Sequence, residues 1–200
     1  EKLTRFVNIG SASEYGSSQK PFREGSICRP ENAYGRSKLM QSALVEAFAR
    51  ALEVPTFNLR VFNVMGFAKR VPAKGFTSDR PHIFTAIANQ FKKVPLVIQV
   101  NNAEDVRDFV APEEVLEAIL KALTARTDSV HEVVNICSGR GTTIGDLVEI
   151  FGQTLRLPYT LESLSSENSL SVGSAGKAER LLGWRAKHPL KRAVRNYVAL

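Results

Sequence analysis

Cysteine is scarce in this chain, with Cys28 and Cys137 the only two in 200 residues. That excludes a disulfide-dense scaffold, and two free thiols are expected, as in a reducing compartment. Histidine is equally sparse. His82, His131 and His188 lie far apart without metal-ligand spacing, so no metal site is expected of them. No apolar run approaches the ~20 residues of a membrane-spanning helix, and the opening EKLTRFV lacks the basic, apolar and small-residue order of a signal peptide. The expectation is a cytoplasmic chain with no membrane partner.

Clustered charge is missing too. The formal charge is +7, but the 27 basic residues are scattered, and Lys92-Lys93 and Lys191-Arg192 are their tightest groups. Nucleic-acid surfaces concentrate Lys and Arg to release counterions, so no nucleic-acid partner is expected, whereas a small anion such as a nucleotide diphosphate suits a mildly basic surface.

The 44% apolar and 24% charged fractions are those of a folded globular chain. Residues 3–10, LTRFVNIG, read as a buried strand ending in a small-residue loop. Across residues 32–53, Leu39, Met40, Ala43, Leu44, Ala47, Phe48, Ala51 and Leu52 recur at helical spacing and form a wide apolar stripe, either core or interface. Pro55 closes that helix and residues 56–63 alternate into a second strand. Helical periodicity returns at 83–91. A strand follows at 96–100, then a helix opened by Pro112, Glu113 and Glu114, and a strand at 130–136. Thr143 with Asp146 forms a capping box for another helix, and the Ser-rich stretch 164–176 reads as loop or weak strand. This alternation implies an α/β fold with a mostly parallel sheet. A doubly wound nucleotide fold opens on a strand, a glycine-rich turn and a helix, yet no G-x-G-x-x-G precedes Asn32. The chain is therefore expected to begin in mid-fold.

Tyr34 and Lys38 stand at i and i+4 near the start of the long helix, one turn apart on one face. An ammonium beside a phenol favours the phenolate electrostatically, which suits acid–base work. Ser11, at the end of the preceding strand, can donate to a substrate carbonyl on the same side of the sheet.

The strings SASEYG at Ser11 to Gly16 and PENAYGRSK at Pro30 to Lys38 resemble the extended short-chain dehydrogenase/reductase superfamily of sugar-nucleotide epimerases, dehydratases and reductases. Further matches follow in order: RVFNVMG from Arg60 to Gly66, RDFV from Arg107 to Val110, NICSG from Asn135 to Gly139, and LGW from Leu182 to Trp184. The resemblance implies a Rossmann-like, doubly wound parallel sheet in its C-terminal part, with a small substrate-binding region. Residues 1–66 would finish the NAD(P)-binding domain, and 67–200 would interleave a sugar-nucleotide-binding region with the last Rossmann elements.

The resemblance makes Tyr34 the catalytic acid–base and Lys38 the holder of the nicotinamide ribose hydroxyls. Ser11, with Ser13, would meet the substrate. Asn63 would contact the sugar or the cofactor side of the cleft, and Arg107 would pair with the diphosphate. Arg60 is expected to be mainly structural, Asp108 an orienter of Arg107 or a local cap, Tyr15-Gly16 a turn, and Cys137 and Trp184 packing residues.

Where the dehydratases of this superfamily read T-D-E-x-Y-G, Ala12 and Ser13 replace the two carboxylates. Hydride exchange at a carbonyl with NAD or NADP is thus favoured over dehydration. Three strings, GSASEYG, NAEDVRDF and VVNICSGRGT, look most like GDP-4-keto-6-deoxymannose reductases. Reduction of a 4-keto sugar nucleotide leads, 4-epimerisation follows, and a non-catalytic relative is the alternative from another class. Departures are Phe67, where a proline is common, and Gly173-Ser-Ala-Gly-Lys177 in place of G-D-x-S-K. The resemblance also implies a homodimer through the 32–53 helix. These 200 residues by themselves are expected to show negligible NAD(P) binding, no turnover and an unpaired apolar strand edge around Phe6.

Overall fold

The computed structural model describes residues 3–65, 83–93 and 96–199; Gly66, Phe67 and His82 lie outside the described residues. In chain order the first elements are β1 (Phe6–Ser11), a 3-10 turn (Ala12–Glu14), α1 (Ala33–Leu52), β2 (Thr56–Val61), β3 (Asn63–Val64), α2 (Ile83–Gln90), β4 (Val97–Val100) and β5 (Val106–Val110). They are followed by α3 (Pro112–Thr124), β6 (His131–Ile136), β7 (Gly141–Thr143), α4 (Ile144–Leu155), β8 (Thr160–Ser163), β9 (Leu170–Ser171), α5 (Gly176–Leu182) and α6 (Leu190–Val198).

The site rests on a parallel sheet in the order β1-β2-β6. Every residue of β2 is buried because both faces are covered. Phe57 and Leu59 join Val134, Ile136, Ala118, Ala122 and Trp184 in an apolar core under α3 and α5. The alternate residues of β2 are polar. Asn58 accepts from the Asn8 amide and donates to Ser42 Oγ of α1, each at 2.9 Å, so the helix is seated on hydrogen bonds rather than on packed aliphatics.

This polar seat explains where α1 puts its apolar stripe. The helix buries Gly35, Ser42 and Ala49, and leaves Met40, Leu44, Phe48 and Leu52 exposed at 73%, 58%, 56% and 63%. Of the two readings of the stripe, core is excluded for these four side chains. β1 pairs only with β2 among the described residues, and Leu3, Phe6, Val45, Phe48 and Leu52 line an apolar groove of about 210 Å³ beside it. No described helix is long and apolar enough to cross a membrane.

A second core gathers Phe84, Ile87, Phe91, Ile98, Phe109, Leu147, Phe151 and Tyr197. Phe84 meets Phe109, Phe151 and Tyr197 edge-on, with ring centroids 5.5–6.0 Å apart. This part departs from the expected parallel order. β7 runs antiparallel to β5, because the turn after β6, with Gly139 at φ +75°, sends the chain back beside it. The strand read across residues 56–63 breaks at Phe62, and β3 pairs with β5 instead. The Ser-rich stretch contributes only two-residue β9. Cys28 and Cys137 are free thiols.

The C-terminal segment is held by a buried acid. Glu114 accepts from Ala111 N at 3.1 Å, from His188 N at 2.8 Å and from Lys187 N, while its carbonyl takes Trp184 Nε1 at 2.9 Å. The expected capping box of Thr143 and Asp146 is present at α4.

At the opposite strand ends from the site, His131 Nδ1 lies 2.6 Å from Thr56 Oγ1, and burial holds the imidazole below its ordinary range. The folded state then binds fewer protons than the unfolded chain, whose imidazole titrates near pH 6.5, so this stability is present above that pH and lost as pH falls below it. Replacing His131 by Gln should flatten the loss of thermal stability on acidification from about pH 6.5 to pH 5. An unchanged slope in melting profiles would locate that loss elsewhere.

Candidate functional site

A cleft of about 650 Å³ opens at the carboxyl ends of β1 and β2, and Ser11, Ser13, Tyr34, Lys38, Asn63 and Arg107 all line it. These residues span nearly a hundred positions of sequence. Ser11 ends β1 and Asn63 follows the end of the parallel neighbour β2, so both reach one edge of the sheet; Tyr34 and Lys38 come from α1, and Arg107 from the second residue of β5, which pairs with β3.

Ser11 is the last residue of β1 and the N-cap of the 3-10 turn. Its Oγ accepts from Ser13 N at 3.1 Å, and its own N–H donates to Glu14 Oε1 at 2.9 Å. With Oγ engaged as an acceptor, the hydroxyl proton is left to donate. Behind it, Glu14 Oε2 accepts from Arg60 Nε at 2.8 Å, an ion pair with side chains only 0% and 8% exposed. The Arg60 guanidinium lies 4.5 Å from the Tyr15 ring centre. Glu14 is thus committed to the interior, and neither Ala12 nor Ser13 offers a carboxylate in its place.

Tyr15 does more than shape a turn. It stacks on Phe22 at 4.6 Å and donates to Asn135 Oδ1 at 2.8 Å, and burial pushes its phenol up to about 12. It stays neutral. Gly16 adopts φ +81°, and a Cβ there would run into the Arg29 carbonyl, so the turn does require glycine.

Tyr34 and Lys38 lie in the first two turns of α1, which Asn32 caps by accepting Gly35 N at 2.8 Å. Gly35 lets the helix approach Ser13 closely, since a Cβ there would meet the Ser13 carbonyl. Tyr34 is 56% exposed, facing the cleft. Lys38 Nζ donates to Ile9 O at 2.9 Å and Gln41 Oε1 at 3.0 Å, which fixes the ammonium at the end of β1 and, among the described residues, leaves one of its three protons without an acceptor.

Asn63 opens β3 and donates to Asp108 O at 3.1 Å. Of the two readings of Asp108, the local cap is the one observed. Its carboxylate takes Ser138 N and Oγ, both at 2.7 Å, Gly139 N at 2.9 Å and Gly173 N at 3.3 Å, without touching Arg107. Burial pushes this carboxyl up, and those hydrogen bonds oppose the rise. Arg107 leans instead on Asp105 at 3.1 Å and on Ser169. Lys177 pairs with Glu132 at 2.8 Å and is not part of the cleft lining.

Sequence reasoning passed over Glu31, Ser169 and Ser171, which also line the cleft. The acid sat unread inside the PENAYGRSK match. The serines lay in a stretch without periodicity, and no sequence signal distinguished them.

A sequence profile described as the NAD dependent epimerase/dehydratase family matches residues 1–137. Similar curated proteins include a UDP-glucose 4-epimerase of Corynebacterium glutamicum, 25% identical over 93% of this chain and 59% of that protein. A dTDP-4-dehydro-6-deoxyglucose reductase of Escherichia coli is 28% identical over 68% of this chain and 40% of its own length. This chain therefore spans less than two thirds of either relative. Among solved structures, RMD of Pseudomonas aeruginosa complexed with NADPH superposes with a TM-score of 0.83 at 22% identity, covering 99% of this chain and 65% of that one, a likeness of fold.

Proposed function

The chain belongs to the NAD dependent epimerase/dehydratase family, and on that footing we propose that it serves NAD(P)-dependent hydride exchange at C4 of a nucleotide-linked hexose, acting as a 4-keto sugar reductase. The observation that carries this reading is the meeting of Ser11, Tyr34 and Lys38 in one cleft with the Glu14 carboxylate turned away from it.

The donor set fits the nicotinamide-ribose part of the cofactor, because Lys38 keeps one proton for a ribose hydroxyl and Tyr34 stands one turn away on the same face. The cofactor, when bound, supplies or takes the hydride. Ser11 donates its hydroxyl proton to the substrate oxygen and holds it against Tyr34. Tyr34 passes a proton to that oxygen as carbonyl becomes alcohol, and takes it back in the reverse direction. Elimination of water needs a carboxyl acid and base beside Ser11, and Ala12 and Ser13 provide neither. The epimerase reading uses the same residues and has the similarity to UDP-glucose 4-epimerases in its favour.

Nicotinamide absorbance separates the two. A reductase consumes NADH or NADPH mole for mole with an NDP-4-keto-6-deoxyhexose. An epimerase interconverts two nucleotide sugars with no net change, and that outcome would replace the reductase reading.

Arg107 in the cleft wall would hold the diphosphate and Asn63 the sugar or the cofactor side, with Ser13 beside the sugar. Arg107→Ala in the native protein should raise KM for the nucleotide sugar about ten- to a hundredfold, as loss of a charged hydrogen bond does, and leave KM for the cofactor nearly unchanged. Equal effects on both would mark a structural arginine.

Residues 1–66 would complete the cofactor domain, with 67–200 interleaving substrate-binding and sheet elements. The exposed Met40, Leu44, Phe48 and Leu52 of α1 would pack against a second copy of the chain. Sedimentation of a Leu44→Glu variant as a monomer beside a dimeric native protein would bear this out.

A further inference from the structure

Arg107 spends all four of its terminal N–H groups inside the protein. Nη1 donates to Val106 O and Ser169 O, both at 3.0 Å, and Nη2 to Asp105 Oδ2 at 3.1 Å and Ser169 Oγ at 2.8 Å. Among the described residues only the Nε–H has no acceptor. A guanidinium grips a phosphate through two parallel N–H groups, so this fork cannot take one bidentately without first giving up an internal bond. Its charge is matched as well as its donors.

Asp105 is the more buried of the pair. Its Oδ1 accepts Ser169 N at 2.8 Å and Ser169 Oγ at 2.6 Å, and its side chain is 9% exposed against 25% for Arg107. Arg107 is the more exposed of the two and stands in the wall of the cleft, where Arg107, Ser169 and Ser171 lie together.

We propose that Asp105 sets the affinity of this cleft for a nucleoside diphosphate, holding Arg107 in a neutral, folded-back pair that the incoming diphosphate must open. The proposal rests on the reading of Arg107 as the diphosphate arginine. Substrate and product of hydride exchange at the sugar share the same diphosphate, so a resident competitor for Arg107 weakens both and speeds release of the product. The cleft gives up some binding and gains turnover.

The test is calorimetric titration of the native holoenzyme with UDP and, separately, GDP. Asp105→Asn keeps the shape and an acceptor for Ser169 while removing the charge. It should tighten diphosphate binding about three- to tenfold, and it should lower KM for the nucleotide sugar without raising kcat. Arg107→Ala should weaken the same titration about tenfold or more. If Arg107→Ala weakens binding and Asp105→Asn leaves it unchanged or weakens it, the aspartate merely supports the arginine, and the proposal is overturned while the diphosphate reading stands. If Arg107→Ala changes nothing, that reading fails and takes the proposal with it. Should Asp105→Asn fold poorly, Ser169→Ala frees one of the same N–H groups with the carboxylate intact. A smaller tightening supports the proposal, and weaker binding overturns it.

Discussion

Tyr34→Phe in the native protein is expected to lower turnover about a hundredfold or more while leaving cofactor affinity nearly intact. The substitution deletes one hydroxyl from a ring that is 56% exposed in the cleft and makes no hydrogen bond to a described residue, so the fold has little to lose. What goes is the proposed proton donor to the substrate oxygen. Lys38→Met should weaken both turnover and cofactor affinity, because that ammonium, fixed by Ile9 O and Gln41, is the group proposed to hold the ribose. Full turnover of a 4-keto nucleotide sugar by Tyr34→Phe would remove Tyr34 from the chemistry.

Arg60→Met should be the most destabilising single change near the site. It leaves the Glu14 carboxylate fully buried with Ser11 N as its remaining described partner and removes the cation over the Tyr15 ring. Breaking a buried pair from one side costs about 3–5 kcal/mol, and at about 2–4 °C per kcal/mol for a chain of this size the midpoint should fall by roughly 10 °C. Adding Glu14→Gln to Arg60→Met should recover part of that loss, since the uncompensated charge goes while Ser11 N keeps an acceptor. Loss below about 1 kcal/mol in the single variant would mean that Glu14 finds another partner.

The sequence by itself determined the β1–α1–β2 frame and the placing of Tyr34 and Lys38 on one face of α1. Strand and helix periods differ enough to be read locally, and Asn32, Pro55, Pro112 and the Thr143–Asp146 box mark ends by short-range hydrogen bonding or by the lack of an N–H. Tyr34 and Lys38 were legible as neighbours because helical spacing fixes them on one face. Tertiary structure decided the rest. The stripe on α1 read as core or interface from its period alone, and only the polar seat of Asn8, Asn58 and Ser42 beneath the helix turns it outward. Nothing around Glu14 in the sequence marks it as buried, and its partner Arg60 lies 46 residues away. The resemblance gave Arg107 to the diphosphate with Asp108 as its orienter or a local cap, and the structure closes its fork on Asp105 and on Ser169, the latter 62 residues on in a stretch without a pattern. Periodicity and capping act over a few residues and are written in the sequence, whereas the partner of a buried charge is chosen by how the chain returns in space, and no local pattern records it.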